Sequence, residues 1–122
     1  MMIYTSYFGK LRQLPKDIVP IAICGKSPDW YDGLEYKRLA PKYKSFMQYK
    51  QDHDTKKYTE NYYEDILRDL LHHEALLSLM RMSKGKDVCL LCYEKPGEFC
   101  HRHIVAKWFN NYGIKCQEYE FK

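Results

Sequence analysis

The sequence predicts a small single-domain α/β layered fold over residues 1–122, with a mainly parallel sheet of about four strands flanked by helices. Three observations carry that reading. Apolar runs of strand length recur at residues 2–7, 17–24, 87–93 and 114–119. Segments with helical spacing separate the later runs, an alternation that favours right-handed crossovers and therefore a parallel sheet. A chain of 122 residues can bury one core but not two.

The first strand is rich in β-branched and aromatic residues, Ile3, Tyr4, Thr5 and Tyr7, and stops at Gly9. The second is nearly continuous in apolar character up to Gly25, the pattern of a strand covered on both faces. Pro20 has no N–H for a ladder, which assigns this strand to an edge or near one. Residues 26–37 hold Pro28, Gly33 and two aspartates and read as a loop whose Trp30 and Tyr31 call for burial. Pro41 suits a first helical position, followed by Tyr43, Phe46, Met47 and Lys50 at helical spacing. Thr59 is placed to cap a second helix with the stripe Tyr63, Ile66, Leu67, Leu70 and Leu71. That stripe continues through Leu76, Leu79 and Met80 after a break near His72 and His73, and Gly85 stops it. Residues 87–93 form the strand expected at the centre of the sheet. The last helix carries His101, Ile104, Val105, Trp108, Phe109 and Tyr112, and Asn110, Asn111 and Gly113 end it.

Composition narrows the function class without naming it. The 20 basic against 16 acidic side chains leave +4, an excess that permits an anionic partner without requiring one. Twelve tyrosines suit core edges and stacking surfaces alike. Five cysteines, an odd number in a domain that needs no staples, argue for reduced thiols rather than a secreted disulfide framework. With no leader-like start and no stretch long enough to span a bilayer, the expectation is a soluble cytoplasmic protein with no membrane contact. The sequence does not fix the oligomeric state.

In open parallel sheets ligands bind beyond the carboxyl ends of the strands. That rule gathers Thr5, Ser6 and Tyr7 after the first strand, Cys24 and Lys26 after the second, and Cys92 and Glu94 after the third. Cys100, His101 and Arg102 open the following helix and share the same rim. The Cys89–Cys92 pair has redox-motif spacing, but an offset of three along a strand sends the sulfurs to opposite faces. The start of a helix favours an anion through free backbone N–H groups and the macrodipole, Arg102 adds a planar donor fork, and the same field raises the thiolate fraction of a nearby cysteine. Tyrosine phosphatases place a thiolate and an arginine around such a loop five residues apart, which neither spacing here reproduces. Taken singly, each of these residues has an ordinary structural role, with Arg102 pairing with Glu94 or Glu98. The lysines at 42, 44, 50, 56 and 57 interleave with Tyr43, Tyr49 and Tyr58, a pattern that fits a solvated helix face as well as a nucleic-acid track.

The run from Leu90 through Cys92, Glu94 and Pro96 to Cys100-His101-Arg102 resembles the family catalogued as domain of unknown function 488. The resemblance extends to residues 3–7, 20–23 and 30–41 and so covers most of the chain. It implies this fold and this site but no established reaction. Members commonly carry an Arg just after the second strand, where this chain has Lys26.

Two functional expectations follow, and a third stands beside them. In the first, the site holds a phosphate-bearing molecule, a nucleotide or nucleic-acid end. Arg102, Lys26 and the Thr5, Ser6 and Tyr7 rim bind it, Cys92 supplies the nucleophile with Cys100 beside it in the catalytic group, and Glu94 or His101 the acid or base, with no cofactor. In the second, the chain is a non-enzymatic binding module for nucleic acid or protein whose cysteines brace a loop. The third places a structural zinc on Cys24, Cys92, Cys100 and His101 or His103.

Overall fold

The computed structural model describes residues 1–95 and 97–121; Pro96 of the family-like run lies outside them. Its strands are β1 (Ile3–Tyr7), β2 (Ile18–Ala22), β3 (Leu34–Glu35), β4 (Asp87–Cys92) and β5 (Cys116–Glu118). They form one all-parallel sheet in the order β3-β2-β4-β1-β5, with β4 at its centre. The helices are α1 (Tyr43–Asp52), α2 (Thr55–Tyr62), α3 (His72–Ser83) and α4 (His101–Asn111).

The fold class is as expected, with one strand more than the apolar runs mark. Two residues, Leu34 and Glu35, are too few to leave a pattern, yet they pair with Ile21 and Ala22 and place β2 inside the sheet. Pro20 is tolerated there for a readable reason. Ile23 donates to the Leu91 carbonyl on β4, while Tyr36 donates to the Ala22 carbonyl from the β3 side. By alternation Pro20 turns its donorless nitrogen toward β3, which begins only opposite Ile21.

All four helices cover one face. Ile3, Ile21, Ile23, Val88 and Leu90 of the strands pack there against Tyr62, Leu79, Val105 and Phe109. The other face, with Ile18, Ala22, Cys89 and Leu91, lies under Phe8 and the half-buried Tyr31. Cys89 and Cys92 therefore do face opposite ways. Trp30 does not find the burial expected of it: it is 61% exposed and only its ring meets Phe8 edge-on.

The helix boundaries follow local chemistry. Asp54, not Thr59, caps α2, its carboxylate accepting from the Lys57 N–H at 3.0 Å, whereas Thr59 sits inside the helix and donates to the Thr55 carbonyl. A π-helical turn over Tyr63–Leu67 follows, and α3 begins at His72, where the sequence places its break. Helix α4 ends in a Schellman arrangement, with Ile114 donating to the Phe109 carbonyl, Gly113 to that of Asn110, and Gly113 at φ 78°.

This wiring creates an opening. After β2 the chain moves toward the β3 edge across the Tyr31 face, whereas after β4 it moves toward β5 across the helical face. The neighbouring carboxyl ends of β2 and β4 thus send their connections apart, and a crevice forms between them.

Candidate functional site

A cavity of about 770 Å³ occupies that crevice. Cys24, Gly25 and Lys26 enter it from the end of β2, Cys92, Tyr93 and Glu94 from the end of β4, and Phe99, Cys100 and His101 from the start of α4. Helices α1 and α2 close it with Tyr43, Phe46, Tyr49, Lys50 and Tyr58. The volume falls in the range that small-molecule sites occupy, and the walls are largely aromatic.

At the floor, Cys92, Cys100 and His101 are all buried, and their ligating atoms lie within 4.8 Å of one another. The Sγ of Cys92 is 3.7 Å from His101 Nδ1 and 3.6 Å from Nε2, and the Sγ of Cys100 is 3.8 Å from Nδ1. His101 Nε2 donates to the Ile23 carbonyl at 2.7 Å. Because a carbonyl can only accept, Nε2 carries a proton, and Nδ1, which faces the sulfurs, donates to Cys100 when the ring is an imidazolium. Cys100 is the N-cap residue of α4.

The two thiols are driven apart in acidity. Burial pushes the Cys92 thiol well up, reinforced by its hydrogen bond to Cys100 and the charge there. Burial also opposes ionisation of Cys100, but hydrogen bonds from Cys92 and His101 and from the Arg102 backbone N–H overcome it and hold Cys100 well below the ordinary thiol value. Of the two, Cys100 is the one favoured as a thiolate, and Cys92, named as nucleophile from the sequence, is the one favoured as a thiol. Glu94, half-buried, has its carboxyl raised by burial and by the neighbouring Cys100 charge. The remaining thiols are inert by comparison: burial raises Cys24 and Cys89, and lifts Cys116 to about 12.

The structure brings Cys92, Glu94, Cys100, His101 and Lys26 together at the cavity, with Cys24 beside them. Arg102, Thr5, Ser6 and Tyr7 lie outside its lining. Arg102 is fully buried, and all three of its nitrogens are engaged by the fold: Nε and Nη2 on the Glu118 carboxylate at 3.1 Å each, Nη1 on the Glu94 carbonyl at 2.6 Å. Thr5 donates to the same carboxylate at 2.6 Å, Ser6 is buried, and the Tyr7 ring lies 6.0 Å from the guanidinium. Arg102 and Thr5 thus brace the floor from behind instead of holding an anion in it. The sequence reading offered Glu94 or Glu98 as the partner of Arg102; Glu118 was missed, because only the pairing of β1 with β5 sets it beside Thr5.

Positive charge at the mouth comes from lysines. Lys37 is tied to Glu35 at 3.1 Å and to the Gly25 carbonyl at 2.6 Å. Lys26 and Lys50 make no ion pair among the described residues. For a metal, the mutually close donor set is Cys92, Cys100 and His101; Cys24 and His103 are not part of it. No helix of the described residues is long and apolar enough to cross a membrane. A family model described as the Active DUF488-N3 subclade, DUF488-N3a, matches residues 7–113. No curated protein and no solved structure matches the chain.

Proposed function

The chain belongs to the DUF488 family, and on that premise we propose that Cys92, Glu94, Cys100 and His101 form a thiol-based active site acting on a ligand held in the cavity. Cys100 attacks an electrophilic carbon or phosphorus, forming a bond from its sulfur as the bond to the leaving group breaks. The leaving group takes the electron pair and the proton of Glu94. Water then attacks the sulfur-bound intermediate, returns a proton to the Glu94 carboxylate and releases Cys100 as the thiolate. The roles fit the opposed shifts of the groups, a carboxyl raised toward the range of a general acid beside a thiol held below its ordinary value. What carries the reading is the position of Cys100: it is the N-cap residue of α4, its sulfur lies 3.8 Å from His101 Nδ1 and within 4.8 Å of the Cys92 sulfur, and it lines an aromatic cavity. Alkylation of the native protein with iodoacetamide, mapped by mass spectrometry, tests it. Cys100 should label first and Cys24, Cys89 and Cys116 slowly; equal, slow labelling of all five cysteines overturns it.

A second reading rests on the same atoms. His101 Nδ1 faces two sulfurs while Nε2 is fixed on a backbone carbonyl, the second-sphere bond a metal-bound histidine makes. Cys92, Cys100 and His101 would then hold a thiophilic cation such as zinc, with the fourth position open to the cavity. Elemental analysis of the purified protein decides this: about one zinc per chain, lost in Cys92→Ser, favours it.

A further inference from the structure

We propose that the ligand of this cavity is a planar aromatic anion of nucleotide size, its ring seated among the aromatic walls and its phosphate between Lys26 and Lys50. The inference rests on the thiol-site reading for the direction in which the ligand points, and adds what the ligand is.

Three tiers of the cavity carry it. Above the floor stands an aromatic wall in which Tyr49, Tyr58 and Phe99 meet pairwise edge to face, with centroids 5.2 to 5.5 Å apart. Such a cluster offers ring surface suited to a further ring, since aromatic pairs favour edge and offset contacts. Nearer the mouth, Phe46 is half-buried and Lys50 Nζ lies 5.0 Å from its ring centroid, so cation and aromatic surface are presented side by side. Across the mouth, on a different element, Lys26 is exposed on the loop after β2, and the Tyr93 hydroxyl donates to the Lys26 carbonyl, which ties that loop to the end of β4.

The combination excludes simpler ligands. A bare phosphate would fill little of about 770 Å³ and leave the rings unused. A neutral aromatic compound would leave two lysines from opposing elements without purpose. A nucleoside phosphate uses both tiers, and stacking on aromatic side chains is tolerant of which base is present.

Binding is measured by calorimetry on the full chain carrying Cys100→Ser, so that no reaction intervenes. The probes are adenosine monophosphate, adenosine, inorganic phosphate and a short single-stranded oligonucleotide. The monophosphate is expected to bind about tenfold or more tighter than adenosine, as one charge-assisted contact to a phosphate supplies, and inorganic phosphate to give no measurable heat. Lys26→Ala with Lys50→Ala should reduce the monophosphate to the affinity of adenosine, and Phe46→Ala should weaken both; all three side chains lie at the mouth, and circular dichroism checks the fold. An oligonucleotide that outcompetes the monophosphate identifies the strand end as the source of the same chemistry. Phosphate binding as well as the monophosphate, or no nucleotide binding at all, overturns the inference. If nucleotides fail to bind while Cys100 of the unmodified chain still labels fast, the ligand assignment falls and the thiol site stands.

Discussion

Replacing Glu118 by alanine isolates the brace behind the site. Arg102 is fully buried and delivers two of its donors to this carboxylate, each at 3.1 Å, so the substitution strands a guanidinium in the interior. Breaking a buried pair from one side costs about 3–5 kcal/mol, because the remaining charge is left uncompensated. The Glu118 side chain is 29% exposed, so water can reach the vacancy, and the lower end, about 3 kcal/mol, applies. Unfolding entropy near 2.1 cal/mol/K per residue gives about 0.26 kcal/mol/K for the 122-residue chain, and the melting temperature should therefore fall by about 12 °C. The assay is thermal unfolding followed by circular dichroism, supported by urea titration to check that the slope is unchanged. The double variant Arg102→Met with Glu118→Gln removes both charges and should recover most of the loss. A fall below about 4 °C for Glu118→Ala would refute the reasoning, since it would mean the guanidinium finds other partners at little cost.

Two more outcomes follow from the geometry. Because Cys100 is held below the ordinary thiol value, its thiolate persists as the pH drops through neutrality, and its alkylation rate should stay nearly flat from about pH 8 to about pH 5. An ordinary thiol loses about tenfold per unit below its pKa of about 8.5, and that slope at Cys100 would contradict the assignment. Asp54→Ala removes the carboxylate that caps α2 and should lower stability by about 1 kcal/mol in urea unfolding, while Thr59→Ala, at the position the sequence favours for the cap, should cost less.

The legibility of this fold divides by the kind of information each feature needs. The long strands and α4 were readable because burial on both faces, or on one helical stripe, writes itself into consecutive residues such as Val88, Leu90 and Leu91, or Ile104, Val105 and Trp108. Strand β3 was not, since two exposed residues paired to Ile21 and Ala22 have no pattern of their own. The α2 cap was misplaced because Asp54 and Thr59 are both competent caps, and only the turn after α1, with His53 at φ 51°, decides between them. Trp30 shows the opposite failure: a large apolar side chain suggests burial, yet nothing requires every such residue to be covered.

The candidate site divides in the same way, and the division explains why Arg102 lies outside the cavity lining. Cys92, Glu94, Cys100 and His101 are close in sequence and lie on either side of one strand-to-helix turn, so local order alone brings them to the same rim. What that order cannot reveal is the direction in which each residue of the first helical turn points. Successive residues of a helix are about 100° apart, so His101 and Arg102 leave α4 in different directions. His101 turns toward Ile23 on one side of the sheet end, and Arg102 is left to face β1 and β5, where Thr5 and Glu118 were waiting in register. Under the proposed reading, the cationic contact expected of that position would come from outside the motif, from Lys26 and Lys50, which line the cavity from the loop and the helix that flank the opening between β2 and β4.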